Sequence, residues 1–182
     1  MLYDDYKKFI NCMIIKEKSN IIILNIKKSK TYFFWYLKYY SILRAKQLLD
    51  LFIVDYPTYM KRFEVNYVLL SIHNNYRIWC KMWVKEHEMG STIINIYEGA
   101  CWLEREAWDM YGIFFLGNID IRRILSDYGF YGHALRKDFP LTGYIEIRYD
   151  DIMKIVVTEF LEMAQELRIF DFNMPWKKQI VI

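Results

Sequence analysis

Cysteine is scarce in this chain and wrongly spaced for metal chemistry. Only three occur, Cys12, Cys80 and Cys101, far apart and without the close pairings that iron–sulfur or zinc sites use. An odd, scattered set points to reduced thiols. Cys80 falls in the alternating run YRIWCKMWV and Cys101 in a helical pattern, and each reads as a small buried apolar group. Charge of one sign is lacking too: 25 Lys and Arg stand against 22 Asp and Glu, a net charge of +3, too slight for a general polyanion binder. No apolar run reaches the roughly 20 residues that cross hydrocarbon. The nearest, TYFFWYLKYYSIL from Thr31 to Leu43, is shorter, contains Lys38 and is followed by Arg44. The opening MLYDDYKKFINC carries Asp4 and Asp5 where an import presequence is acid-poor and Arg-rich, and it lacks a secretory apolar core. The expectation is a soluble chain with no address of its own. Also missing are a GxGxxG fingerprint, a Walker loop with its Lys and a nucleophile elbow, so nucleotide binding and hydrolysis have no local signature.

What is present is apolar and aromatic. Hydrophobic residues make up 54% of the 182 and charged residues 26%, which is enough to bury a core and excludes the composition of disorder. The length fits one domain, or one domain with an arm. Aromatic residues reach 19%. Tyr and Trp join apolar bodies to polar tips, so this excess favours large, partly wet contact surfaces. A second cause carries no function: Ile, Tyr, Phe, Lys and Asn have AT-rich codons, and an AT-rich genome enriches all of them.

Along the chain, Leu2, Tyr6, Phe9, Ile10 and Met13 recur near helical spacing and predict an amphipathic helix from Leu2 to Lys16. NIIILNI, ending at Ile26, predicts a strand. A helix is expected from about Tyr32 to Arg44, and LLDLFIVDYP reads as a strand closed by Pro57, which cannot donate to a ladder. Phe63 to Ile72 and Tyr76 to Val84, split by His73, Asn74 and Asn75, predict a hairpin. Ser91 or Thr92 is placed to cap a helical segment broken at Gly99. From Ala100, ACWLEREAWDMYG has a clear helical period, with Ala100, Leu103, Ala107 and Met110 on one face and Gly112 as the stop. Arg105 and Asp109, four apart, can pair on the other side. These elements give an α+β fold: a two-layer helix/mixed-sheet domain over residues 1–115.

Beyond it the periodicity disappears. From Gly117 to Tyr149 the chain has glycines at turns, charges of both signs and a large apolar residue every few positions. It is too aromatic for disorder and too long for an idle loop, so residues 116–182 read as an extended arm ordered by lying on something else. A short helix is expected within it, from Asp150 to Arg168. No catalyst is visible. Glu104 and Glu106 are two apart on a helix and point to different faces, so they cannot share one substrate bond. His133 lacks ligand partners, since His73 and His87 sit in unrelated segments, and it reads as a hydrogen-bonded loop histidine. Arg122, Arg123, Arg136 and Lys137, interleaved with Tyr128, Phe130, Tyr131 and Phe139, have the makings of a nucleic-acid grip. Asp120, Asp127 and Asp138 lie among them, and mixed signs beside Arg and Tyr fit a protein interface better.

The runs EREAWDMYGIFFLGNIDIRRIL and DYGFYGHALRKDFPLTGYIEIRYDD resemble the family of the 30 kDa subunit of respiratory complex I, the proton-pumping NADH:ubiquinone oxidoreductase. Glu104, Arg105, Glu106, Asp109, Met110, Tyr111, Arg122, Ile124 and Leu125 match its signature. Asn118 stands where His or Lys is expected, and Ala134 replaces the usual Pro of GHPLRKD. The resemblance implies a non-catalytic core scaffold subunit of the hydrophilic matrix arm, an enzyme only as part of that reductase, which supports the quinone module. It implies no catalytic, cofactor-binding or metal residue in this chain, with FMN, iron–sulfur clusters and ubiquinone in neighbouring subunits. The partners it implies are the 49 kDa quinone-module subunit, over which the tail runs, and the neighbouring iron–sulfur subunits, with no nucleic acid and no membrane span. The residues expected at the partner interface are Glu104, Arg105, Glu106, Asp109, Arg122, Arg123, Arg136, Lys137 and Asp138. The expected place is the matrix side of the mitochondrial inner membrane, with an organelle gene. The alternative from another class is an RNA-binding accessory protein using the same Arg and aromatic arm.

Overall fold

Runs of β-branched and aromatic residues lay down the central sheet. A computed structural model describes residues 13–18, 20–26, 31–41, 43–170 and 172. Its strands are β1 (Met13–Lys18), β2 (Ile21–Ile26), β3 (Gln47–Asp55), β4 (Phe63–Ser71) and β5 (Tyr76–Val84), standing in the order β1-β2-β5-β4-β3. β2 runs parallel to β5, and the other neighbours are antiparallel. The hairpin between β4 and β5 turns through Asn75 at a φ of 54°, a conformation that Asn tolerates better than most side chains.

Register decides which side is buried. Leu51, Tyr67, Cys80 and Leu24 stand in one row across β3, β4, β5 and β2, and all four are buried. Two helices cover this face, α1 (Thr31–Tyr39) and α2 (Ala100–Tyr111). Phe34 of α1 sets its ring 4.7 Å from Tyr67, and Tyr111 at the end of α2 sits 6.3 Å from Phe63. The opposite face carries polar and aromatic groups in cross-strand pairs. Lys81 Nζ lies 2.7 Å from Glu64, and Trp79 Nε1 donates to Asn66 Oδ1 at 2.9 Å.

α2 ends where the sequence stops it. Gly112 adopts a φ of 76° and its N–H donates to the Trp108 carbonyl at 2.8 Å. Ahead of α2 the chain departs from expectation. The segment after Ser91 is a set of turns. Thr92 Oγ1 accepts the Ile94 N–H at 3.2 Å as a cap would, and the Ile96 and Tyr97 N–H groups donate to the Ile93 carbonyl, but that turn is not continued as a helix. Thr92 Oγ1 and the Ile93 N–H donate to the Glu104 carboxylate. Gly90–Ser91 instead forms a short strand, β6, parallel to β7 (Phe115–Leu116). Met13–Lys16, expected at the end of the first helix, belongs to β1. Its Ile14 and Ile15 favour extended backbone. The rest of that expected helix lies outside the described residues.

The described residues part into two compact units between Phe139 and Pro140. The second unit holds an antiparallel hairpin of β8 (Ile145–Asp150) and β9 (Ile155–Phe160). This corrects the helix expected from Asp150 to Arg168: Ile155, Val156, Val157 and Thr158 are four β-branched residues in succession, and that run overrides the helical spacing. Arg148 closes the hairpin with both Glu159 oxygens, at 2.8 and 2.7 Å. Among the described residues no helix is long and apolar enough to cross a membrane.

Candidate functional site

The last turn of α2 organises the segment that follows it. Asp109 is 0% exposed. Its Oδ2 accepts the backbone N–H groups of Ile124, Leu125 and Ser126 at 3.1, 2.8 and 2.9 Å, and its Oδ1 receives Arg123 Nη1 at 2.8 Å. Arg123 in turn donates to the Gly132 carbonyl at 3.1 Å and lies over the rings of Trp108 and Phe130. Burial alone would raise the Asp109 carboxyl. The N–H groups of Ser126 and Leu125, the Ser126 side chain and Arg123 outweigh burial and hold it down at about 2.

A helix leaves its final carbonyls without intrahelical partners, and here residues 133–136 supply them. His133 Nδ1 lies 3.0 Å from the Asp109 carbonyl, the Leu135 N–H donates to Met110 at 3.2 Å, and Arg136 Nε donates to Tyr111 at 2.7 Å. The approach is close enough to need a bare glycine. A Cβ on Gly112 would stand 2.5 Å from His133 Nε2 and 2.7 Å from Arg136 Nη2. Burial, then the charges of Arg136 and Arg123, push the His133 imidazole below its ordinary value.

A second anchor sits at the end of β3. Asp55, 3% exposed, takes both prongs of Arg62, Nε at 2.8 Å and Nη2 at 2.9 Å, and also accepts the Lys137 N–H at 2.9 Å. Arg62 reaches Asp138 at 2.9 Å, and Glu86 lies between Arg62 and Arg136, at 3.3 and 2.9 Å. Burial raises the Asp55 carboxyl, but the Arg62 and Lys137 hydrogen bonds carry it below the usual carboxylate range. Residues 117–139 are thus tied to their own domain at both ends of α2 and at β3.

Glu104 works differently. It is 0% exposed and its carboxylate is held by neutral donors: Thr92 Oγ1 at 2.7 Å, the Ile93 N–H at 2.8 Å and Asn118 Nδ2 at 3.1 Å. Burial pushes this carboxyl up, and the three hydrogen bonds offset only part of the push. The folded chain therefore binds the Glu104 proton more tightly than the unfolded chain does, so this group's contribution to stability declines as pH rises above its ordinary 4.5 toward its folded value. Asn118→Lys places a cation at the third donor. It is expected to stabilise the fold at pH 8 relative to pH 5 by about 1 kcal/mol compared with the native chain, read as the shift in urea midpoint. Comparing the two pH values cancels the loss of the Asn118 Oδ1 bond to the Asp120 N–H, 3.0 Å in the native chain. Equal shifts at both pH values would show that Glu104 is insensitive to residue 118.

The structure sorts the nine residues expected at a partner interface. Glu104, Arg105 and Asp109 are buried, and Arg123 and Arg136 spend their guanidinium groups on bonds within the chain. Arg105 and Asp109 do not pair with each other: Arg105 faces Asp120 at 3.6 Å and the Arg122 carbonyl at 3.4 Å, because Asp109 is fully engaged by Arg123 and three N–H groups. Arg122 is exposed and reaches Asp120 at 3.1 Å. Glu106, Lys137 and Asp138 are exposed. Asp55, Arg62 and Glu86 are not among the nine. One available signal is parity: Asp55 continues the inward row of Leu51 and Ile53, and a carboxylate on a core face requires a cation. Among the described residues no group of three or more His, Cys, Asp or Glu side chains is arranged to hold a metal ion.

Comparison with known proteins adds to this geometry. The family model described as respiratory-chain NADH dehydrogenase, 30 Kd subunit, matches residues 28–145. NADH-ubiquinone oxidoreductase subunit 9 of Acanthamoeba castellanii is 47% identical over 175 residues, 95% of this chain and 89% of that protein. NADH dehydrogenase [ubiquinone] iron-sulfur protein 3 of Oryza sativa subsp. japonica is 49% identical over 144 residues, 79% of this chain and 76% of that protein. NADH-ubiquinone oxidoreductase subunit 9 of Reclinomonas americana is 50% identical over 142 residues, 78% of this chain and 70% of that protein. A chain of the membrane-bound sulfane sulfur reductase, an archaeal respiratory membrane complex, superposes with a TM-score of 0.58 over 77% of this chain and 84% of its own length. At 20% identity that likeness is one of fold.

Proposed function

The chain belongs to the family of the 30 Kd subunit of respiratory-chain NADH dehydrogenase, and from that premise we propose the part it plays. It is a core subunit of the NADH:ubiquinone oxidoreductase. Its work there is structural. The observation that carries this reading is the use made of the signature charges: Glu104, Arg105 and Asp109 are buried and bonded within the chain, so they shape a surface and face no reacting group.

The hairpin of the second unit supports a docking role. Its register sets Ile145 opposite Phe160, Ile147 opposite Thr158 and Tyr149 opposite Val156 on one face. That face is apolar yet open, with Ile147 59%, Val156 65% and Phe160 82% exposed. A two-stranded hairpin is marginal in water by itself, and a continuous exposed apolar face marks a contact site. The occupant on this reading is the larger, 49 kDa subunit of the quinone module, with iron–sulfur subunits nearby. FMN, the clusters and ubiquinone belong to those neighbours. Relatives from Acanthamoeba castellanii and Oryza sativa subsp. japonica support a mitochondrial complex. The matrix side and an organelle gene are our reading, and the bias toward residues with AT-rich codons favours the latter. The RNA-binding alternative gains nothing from the structure, since Arg123 and Arg136 are occupied by carboxylates and carbonyls.

Native affinity purification of the tagged chain from its source organism tests the proposal. The expected eluate contains the quinone-module and iron–sulfur subunits and reduces ubiquinone with NADH. Recovery of the chain alone, or with RNA, would overturn it.

A further inference from the structure

Two guanidinium groups share one carboxylate where α2 meets the segment that follows β7. Arg105 and Arg122 both reach Asp120, at 3.6 and 3.1 Å, and among the described residues neither pairs with another carboxylate. One positive charge of the cluster is therefore left without a counter-charge. Asp120 cannot serve both guanidiniums well: its Oδ1 faces Arg122, and its Oδ2 stands 3.6 Å from Arg105, beyond hydrogen-bond reach. Arg105 is poorly served for a buried group. It is 5% exposed, yet of the several N–H donors that a guanidinium carries only Nε makes a hydrogen bond, to the Arg122 carbonyl at 3.4 Å. The Trp102 ring holds it in place, 4.7 Å from Cζ, and Trp102 is itself 63% exposed. Burying a charge costs free energy unless it is paired and hydrogen-bonded, so the cluster as folded is short of one anion. By contrast, Arg123 meets Asp109, and Arg62 and Arg136 meet Asp55, Glu86 and Asp138.

We propose that Arg105 and Arg122, with the Trp102 indole beside them, receive a carboxylate, an Asp or Glu side chain, from a neighbouring subunit. The proposal rests on the subunit reading above and names a contact made by the first unit, apart from the hairpin of residues 145–160. Charge and chemistry agree on the occupant. One carboxylate brings the one negative charge that is missing, and a guanidinium fork meets a carboxylate with paired N–H donors. An exposed Trp next to two Arg has the composition of an interface anchor. A polyanion is a poorer match, since Asp120 lies within the cluster and like charges brought together across a contact repel.

Zero-length cross-linking with a carbodiimide tests the occupant directly, because it joins an amine only to a carboxyl group in contact with it. Arg122→Lys supplies the amine, and residue 122 is exposed, so the free full-length chain is expected to fold as before. In that free chain the expected link runs from position 122 to Asp120. In the purified reductase carrying the variant, mass spectrometry is expected to find position 122 joined to an Asp or Glu of another subunit. Links to Asp120 alone in both forms would overturn the carboxylate occupant. The native protein gives a second reading, since phenylglyoxal is expected to modify Arg122 in the free chain and to be excluded from it in the reductase. Equal modification of the two forms would overturn the proposal, and this reading decides if position 122 forms no link in either. Arg122→Glu is expected to lower the assembled enzyme roughly tenfold or more, with the free chain's thermal midpoint unchanged because an exposed ion pair adds little stability. Native-level assembly of that variant would overturn the proposal as well. Protection of Arg122 that ribonuclease removes would put RNA in place of the carboxylate. Absence of the chain from the reductase would instead sink the subunit reading, and it registers at purification, before any labelling.

Discussion

Asp109→Ala is expected to remove roughly 3–5 kcal/mol of folding stability and, with it, most of the assembled reductase. One carboxylate, itself out of reach of water, holds three consecutive N–H groups and a guanidinium. Removing it strands those donors and leaves the Arg123 charge without its partner, the costly way to break a buried pair. Its pH dependence follows from the same contacts. With the folded carboxyl at about 2 against an ordinary 3.8, Asp109 stabilises the native state by roughly 2 kcal/mol above pH 3.8. That contribution drains away as pH falls toward 2. The Asp109→Ala chain should therefore lose the acid branch of the native stability curve in addition to its stability at neutral pH. Chemical denaturation between pH 2 and pH 7 measures both, and a loss under about 1 kcal/mol at neutral pH would show that residues 123–126 hold their course without it. Activity per assembled complex is expected to stay near the native value, because the Asp109 carboxylate spends its bonds within the chain.

Arg62→Ala is the second large effect, again roughly 3–5 kcal/mol. The guanidinium serves Asp55, Asp138 and Glu86 at once, and its removal leaves Asp55 charged and buried with only the Lys137 N–H for company. Arg62→Lys keeps the charge but not the fork, since an ammonium cannot meet both Asp55 oxygens in one plane, so an intermediate loss is expected. The same ordering should hold for protection of the 136–138 backbone in hydrogen exchange. A Lys variant as stable as the native chain would mean that charge alone suffices and that fork geometry is idle.

Four of the five strands of the sheet were legible because their signals are local; β1 was expected as the end of a helix. β-branched runs mark β2 and β3, and three polar residues between two alternating runs mark the β4–β5 hairpin. α2 was legible for the same reason: a 3.6-residue period and a terminal Gly112. What escaped depends on partners distant in sequence. Asp55 and Lys137 are 82 residues apart, and no spacing rule links them. Arg105 and Asp109 sit at ideal pairing distance along a helix, yet each is claimed by the segment beyond Gly117, because a buried carboxylate with three N–H donors outcompetes a weak surface pair. IEIRYD alternates strictly, which is a strand signal, but it lies inside a stretch whose glycines and mixed charges conceal short elements. The signature residues were legible as a set, whereas their inward direction was not: helical periodicity places Asp109 away from the apolar stripe, and the segment packed over it makes that side an interior.

On the proposed function this chain works as a scaffold held in the reductase by the unit that begins at Pro140. A chain ending at Phe139, expressed in place of the full one and followed on a native gel, tests it most directly. The expected result is a truncated chain that accumulates while full-size reductase falls to background. Full-size, active enzyme containing the truncated chain at the native level would contradict it.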